Sequence, residues 1–426
     1  MAREYKDSGI EWIGRIPKEW KTCRFKDFVF LRTAPSNSTN KIGLENLEGE
    51  SGHFVQTEGK FDGDGTQFYD GDVLYGKLRP YLRKVWLATF DGNAVGDFFV
   101  FKNKVNAFAK YVKWLFLSDG FSEAVNSSVY GAKMPRVSSE FILTLPYFLP
   151  SIDEQQRIAD YLDEKCGEID SLISLQEQMI AQLTDYKQSV ITEAVTKGLD
   201  SNVELVPSGI DWIGDVPEGW KLARMDYICS VITDFVASGS FESLRENVPY
   251  LDTPDYAMLV RTADLSGTAR SDKRVYISEH SYIFLKNSNL FGEEIVLPNI
   301  GASVGDVYMV PAGLYEKMSL GPNSIMLKTK YCDRYYYYYY YGEPGKRSVI
   351  NMCQSTAQPK FNKTELRSLR VLLPPLEEQR AIASYLDGRC AEIDALISLK
   401  QQKIETLKDY KKSLIFEAVT GKIEVV

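Results

Sequence analysis

The chain contains two copies of itself. Asp7-Ser8-Gly9-Ile10-Glu11-Trp12-Ile13-Gly14-Arg15-Ile16-Pro17-Lys18-Glu19-Trp20-Lys21 returns 200 positions later as Pro207-Ser208-Gly209-Ile210-Asp211-Trp212-Ile213-Gly214-Asp215-Val216-Pro217-Glu218-Gly219-Trp220-Lys221. A longer match pairs Glu154–Thr196 with Glu378–Thr420 at an offset of 224, and 27 of its 43 positions are identical. Chance does not produce such a match, so the 426 residues are one unit used twice. Between the matched parts the halves share only faint landmarks. Asp72-Val73-Leu74 lies on Glu294-Ile295-Val296, Arg79-Pro80 on Gly301-Ala302, and Ala132…Glu140 on Ala357…Glu365. Each copy is a fixed frame around a changed insert.

The matched segments of 43 residues read as helices. Ile158, Leu162, Ile169, Leu172, Ile173, Ile180, Leu183 and Val190 fall at three-and-four spacing with no proline, and Ile382 to Val419 repeat the pattern. Pro150 and Pro374-Pro375, each followed by an acidic pair, suit helix starts, where the first N–H groups are unpaired and negative charge is favoured. Gly198 and Gly421 suit the exits. A helix of that length with an apolar seam needs a partner. The matching seams predict a coiled-coil pair, antiparallel because that relates the halves by a pseudo-two-fold axis.

The blocks between the helices mix strand-like runs (Asp97–Phe101, Asp306–Val310, Ser324–Leu327) with glycine turns and a helix near 109–118. The run Tyr335–Tyr341 aligns with that helix, which favours packing in a core over base stacking. The expected class is α+β: two mixed globular domains and two long antiparallel helices. The boundaries are a first domain at 1–150, a first helix at 151–200, a second domain at 201–374 and a second helix at 375–426.

Composition excludes several functions. No apolar run is long enough to span a bilayer, and the N-terminus carries no apolar signal, so no membrane partner and a cytoplasmic location are expected. Six cysteines form no C-x-x-C pair, which points to reduced thiols. Only His53 and His280 are available, too few for a histidine-ligated metal site or a His-based triad. Asp62-Gly63-Asp64-Gly65 lacks the terminal glutamate of a calcium loop, and Gly342-Glu343-Pro344-Gly345-Lys346-Arg347 is too short for a phosphate-binding loop. No catalytic residue or metal ligand is expected.

The formal charge of −8 is misleading as a whole-chain figure. Residues 151–200 hold 4 Lys+Arg against 11 Asp+Glu, whereas 21–150 hold 16 against 14 and 221–374 hold 18 against 16. The globular blocks are therefore free to carry basic surfaces. In the first, Lys77, Arg79, Tyr81, Arg83 and Lys84 lie on a strand–loop–strand segment, joined by Lys133 and Arg136. In the second, Arg270, Lys273, Arg274, Asn299, Ser303, Lys346, Arg347, Gln354, Gln358, Lys360 and Asn362 are comparable. Cations suit phosphates, while Arg, Lys, Asn and Gln suit base edges.

The repeated Trp-Ile-Gly-x-[Ile/Val]-Pro-x-x-Trp segments and the Pro-x-x-x-Glu-Gln…Ile-Ala-x-Tyr-Leu-Asp…Glu-Ile-Asp-x-Leu-Ile-Ser helices resemble the specificity subunit of type I restriction-modification systems over essentially the whole chain. The resemblance implies a non-catalytic subunit with two target recognition domains that read an asymmetric bipartite site on double-stranded DNA. It also implies docking of two methyltransferase subunits and of restriction/translocase subunits, which would carry S-adenosylmethionine, ATP and Mg2+ in place of this chain. Trp12, Trp20, Trp212, Trp220, Tyr161 and Tyr385, from the repeated segments, are the candidate docking residues. A specificity subunit of another restriction-modification class, a coiled-coil scaffold that binds only proteins, and an enzyme with a cryptic site are the alternatives.

Overall fold

In the computed structural model the described residues are 3–36, 38–59, 61–131, 133–267, 273–353 and 358–425. They form two compact units: residues 1–178 with 400–426, and residues 179–399. Two long helices, Ile152–Lys197 and Leu376–Val419, contribute to both. At 46 residues the first is about 69 Å long at 1.5 Å per residue.

Each unit is built around the same antiparallel four-stranded sheet. In the first unit the order is Val29–Arg32, Phe98–Asn103, Val73–Gly76, Val85–Leu87. In the second it is Cys229–Asp234, Ser324–Thr329, Ile295–Pro298, Tyr308–Met309. A buried carboxylate stands before the third strand in both. Asp72 accepts from the N–H of Tyr69, and Glu294 accepts from those of Phe291 and Gly292. The halves diverge in a second sheet. It is Pro35–Ser36, Gly65–Phe68, Gly92–Val95, Lys41–Ile42 in the first unit, and Val275–Ile277, Ala257–Val260, Met318–Leu320, Asn289–Leu290 in the second.

The Glu-Gln pair of the repeated motif ties each long helix to its domain. Gln155 is fully buried. Its amide donates to the carbonyls of Asn106 and Pro150 and its oxygen accepts from the N–H of Phe108. Gln379 is buried likewise, donating to Pro374 O at 2.8 Å and accepting from Cys332 N. The preceding glutamates receive tryptophan N–H groups, Trp20 on Glu154 (3.1 Å) and Trp220 on Glu378 (2.8 Å). A little over two turns further on, Asp163 accepts from Lys113 and Trp114, and its repeat Asp387 accepts from Arg334 and Tyr338.

The same units grip the opposite helix ends. Tyr111 and Tyr147 both donate to Val419 O, at 3.0 and 2.6 Å, and Tyr335 donates to Val195 O at 3.0 Å. Past each helix end a glycine adopts positive φ, +74° at Gly198 and +71° at Gly421. A Cβ on Gly421 would meet Pro17 and Trp20 below 3 Å, so glycine lets the turn lie against the tryptophan. The first unit thus combines the start of one helix with the end of the other, and the second does the reverse. The antiparallel sense is visible in each. Lys411 reaches Asp170 at 2.7 Å and Lys400 meets Gln176 in the first unit, while Lys187 reaches Asp394 at 2.7 Å and Gly198 neighbours Glu378 in the second.

The tyrosine run forms the helix Asp333–Tyr341, with Tyr335, Tyr336, Tyr338, Tyr339 and Tyr340 buried, in the place held by Ala109–Leu117 in the first unit. All six cysteines are free thiols, and burial raises Cys23, Cys166 and Cys229 to about 12, which keeps them unreactive at neutral pH. Among the described residues no helix is long and apolar enough to cross a membrane.

Replacing Gln379 by Ala strands the Cys332 N–H and the Pro374 carbonyl in the interior, an expected cost of about 2–4 kcal/mol. Thermal unfolding of Gln379→Ala should show a midpoint several degrees lower. The exposed Gln178→Ala should leave it in place, and equal midpoints for the two would remove the glutamine from this role.

Candidate nucleic-acid interface

The strand Val73–Gly76 leads into a tight loop around the 3-10 turn Pro80–Leu82 before Val85–Leu87 returns. Residues 135–137 pack beside it. Leu78 bridges Arg136, Arg79 N donates to Pro135 O (2.8 Å), and Val137 N donates to Lys77 O (3.2 Å). The second unit repeats this scheme. Ile300 bridges Lys360, Gly301 N donates to Pro359 O (3.0 Å), and Phe361 N donates to Asn299 O (3.1 Å). The structure therefore brings together, twice, loop segments some 60 residues apart in the chain.

Not every cation expected to face phosphate is free to do so. The guanidinium of Arg83 engages the carboxylate of Asp119 and the carbonyl of Leu117, and Lys84 donates to Leu44 O at 2.6 Å. Asp97 sits between two others, holding Arg136 by a fork of 3.2 and 2.9 Å and Lys77 at 3.7 Å. Arg136, then Lys77, hold the Asp97 carboxyl below its usual range. These contacts fasten the loop to the domain. What they leave outward is Arg79, Tyr81 and Lys133, with Tyr130 and Met134 exposed on the adjoining turn. Tyr130 and Met134 were not among the sequence candidates. The signal available was the turn chemistry of Gly131 and Pro135 beside them.

Backbone strain gathers here. Among the described residues five that are not glycine have positive φ, and Glu50, Arg79 and Arg83 are three of them. Glu50 N donates to Arg83 O, so all three belong to one loop cluster. Each such residue costs about 1–2 kcal/mol relative to an ordinary conformation.

In the second unit Lys346, Gln358 and Lys360 are exposed, and Lys273 is exposed with its carbonyl held by Arg261. Arg274, Asn299 and Ser303 are half-buried. Arg347 is paired with Glu343 four residues earlier on its helix. Asn299 gives its amide to Phe361 O (3.1 Å). Asn362, expected at a base edge, is instead the cap of Lys363–Ser368, its oxygen accepting from Thr364 N and Glu365 N. Arg270 and Gln354 lie outside the described residues. Of the candidate docking residues, Trp20 is buried, Trp12, Trp212, Trp220 and Tyr161 are half-buried, and Tyr385 is exposed. Trp12 stacks on Tyr147, and Trp212 donates to Ser348. Within the chain the tryptophans fix the repeat segments in place. Among the described residues no cluster of His, Cys, Asp and Glu side chains could hold a metal ion.

The fold has known counterparts. A chain from a structure of type I R-M complex assembly and conformational transition superposes with a TM-score of 0.72 at 18% identity, covering 96% of this chain and 99% of that one. The HsdS subunit from Thermoanaerobacter tengcongensis gives 0.54 at 18% identity, covering 98% and 100%. In sequence, residues 217–409 match the type I restriction modification DNA specificity domain. Over 430 residues the chain is 23% identical to the type I restriction enzyme MjaVIII specificity subunit of Methanocaldococcus jannaschii, covering 96% of this chain and 94% of that one. Residues 217–409 thus match that specificity domain, and nearly the whole chain is similar to specificity subunits of type I restriction enzymes.

Removing the carboxylate that holds Lys77 and Arg136 gives a check on the loop. Asp97→Asn should cost on the order of 1 kcal/mol at neutral pH. Because the folded-state value of Asp97 is lowered, its contribution is complete above its unfolded value of about 3.9 and fades as pH falls through the folded value. Denaturation midpoints of wild type and Asp97→Asn should differ at pH 6–8, draw together as pH falls below about 4, and converge only beneath the folded value. A gap that persists in acid would assign the loss to something other than this charge.

Proposed function

We propose that the chain reads an asymmetric two-part sequence in double-stranded DNA, one part with each unit, and lends that reading to methyltransferase and restriction subunits. The observation that carries this is the pairing of like frames with unlike loops. The segments 77–79/135–137 and 299–301/359–361 have the same backbone contacts, yet one presents Arg79 where the other has Gly301. Equivalent frames would approach a duplex in equivalent ways, and different side chains would then demand different bases.

The long helices would fix the number of unread base pairs between the half-sites. Leu172 and Leu175, with their repeats Leu396 and Leu399, are exposed on those helices. Apolar surface at repeat-related positions suits two copies of one partner, which fits a pair of methyltransferase subunits. S-adenosylmethionine would be bound there, with ATP and Mg2+ on the restriction subunits, and the reaction would take place in the cytoplasm.

Exchanging residues 221–374 for the corresponding segment of another specificity subunit, and sequencing the methylated adenines, is the test. The expected outcome is a motif changed in one half and unaltered in the other. A change in both halves, or methylation that does not depend on this chain at all, would contradict the proposal. Failure of the chain to shift any duplex in the presence of methyltransferase would favour a scaffold that binds only proteins.

A further inference from the structure

Arg79 turns the loop of the first unit with φ +50° and ψ +62°. Side chains of L-residues disfavour that region, since Cβ crowds the following carbonyl, and arginine is not among the residues that tolerate it. The equivalent position in the second unit, fixed by the same bridge and the same two backbone hydrogen bonds, is Gly301 with φ +94°. The fold requires a left-handed residue at this point of the frame. Glycine supplies it without strain in one copy, and the other copy has a large cation.

Among the described residues no side-chain contact of Arg79 offsets that strain. Arg79 is exposed, and its guanidinium has no hydrogen bond or ion pair among the described residues. Its neighbours differ in this respect: Lys77 and Arg136 are held by Asp97, Arg83 by Asp119 and Lys84 by Leu44 O. Those contacts, with the bond from Arg79 N to Pro135 O, make the backbone under Arg79 a firm support. A strained residue held on a rigid loop with an unengaged side chain points outward for its purpose. A phosphate contact needs only a cation on a flexible stem, which lysine provides from unstrained positions. A planar fork aimed from a fixed backbone suits the two acceptors on a guanine edge, O6 and N7.

We propose that Arg79 is a specificity-determining residue that reads a guanine in the half-site taken by the first unit, and that Gly301 makes the corresponding contact absent in the other half. The proposal rests on the reading of this face as DNA-binding.

The test uses the full chain with its methyltransferase partners and compares wild type, Arg79→Gly and Arg79→Lys by mapping methylated adenines. Arg79→Gly relieves the backbone, so its thermal midpoint should equal or exceed that of wild type. Its methylated motif should lose the demand for one guanine in one half, with discrimination at that base falling about tenfold or more, while the other half is untouched. Arg79→Lys should lose the same base, because a point charge does not replace the fork. An unchanged motif with uniformly weaker methylation and a shallower salt dependence in Arg79→Gly, restored by Arg79→Lys, would show a phosphate contact and overturn the proposal. A lower midpoint in Arg79→Gly would show a structural role and overturn it also. Absence of any chain-dependent motif in the wild type would instead sink the DNA-reading function itself, which separates the two failures.

Discussion

Everything in this molecule depends on how a helix end is held. A helix leaves four N–H groups unpaired at its start and four carbonyls at its end, and a domain that supplies partners for them fixes the helix axis. Here a tyrosine hydroxyl holds one of the last carbonyls, and the start is fastened by side chains of the helix's own first turn, a buried glutamine bonded to the domain and a glutamate that receives a tryptophan N–H. Because each unit holds the start of one long helix and the end of the other, the two helices run antiparallel through the core of each unit. Chain duplication and antiparallel packing are one fact seen in sequence and in space.

That arrangement separates what must stay constant from what has to vary. The four-stranded sheet, the gripping tyrosines and the repeat segments recur in both units, while the strand order of the second sheet and the side chains of the loops above the first change. Under the proposed function, partners would meet the repeated parts and the target the changed ones. Internal ion pairs serve the division too. Asp97 and Asp119 consume cations that sequence alone would assign to phosphate, and by doing so they hold the loop that presents the remaining ones.

Much of this was legible in the sequence because it follows from local periodicity. The long helices, their antiparallel sense, their glycine exits and the core position of Tyr335–Tyr341 all come from repeated spacing of apolar residues and from aligning one copy on the other. The state of each loop cation was not legible. Arg136 finds Asp97 39 positions away, Arg83 finds Asp119 36 away, and Lys84 finds a backbone carbonyl that no side-chain pattern marks. The cap at Asn362 was legible from Glu365 three residues later, yet an asparagine beside cations invites a base-edge reading first. The left-handed turn at Arg79 had one trace, the glycine aligned with it in the other copy.

Pulsed dipolar spectroscopy reads the crossed grip of the two helices within each unit. Nitroxide labels at 170 and 411, and in a second sample at 187 and 394, replace the two repeat-related ion pairs. An antiparallel pair gives one short, narrow distance in each sample, compatible with neighbouring helix axes about 8–10 Å apart. Long or broad distances in either sample would contradict an antiparallel pair held this way.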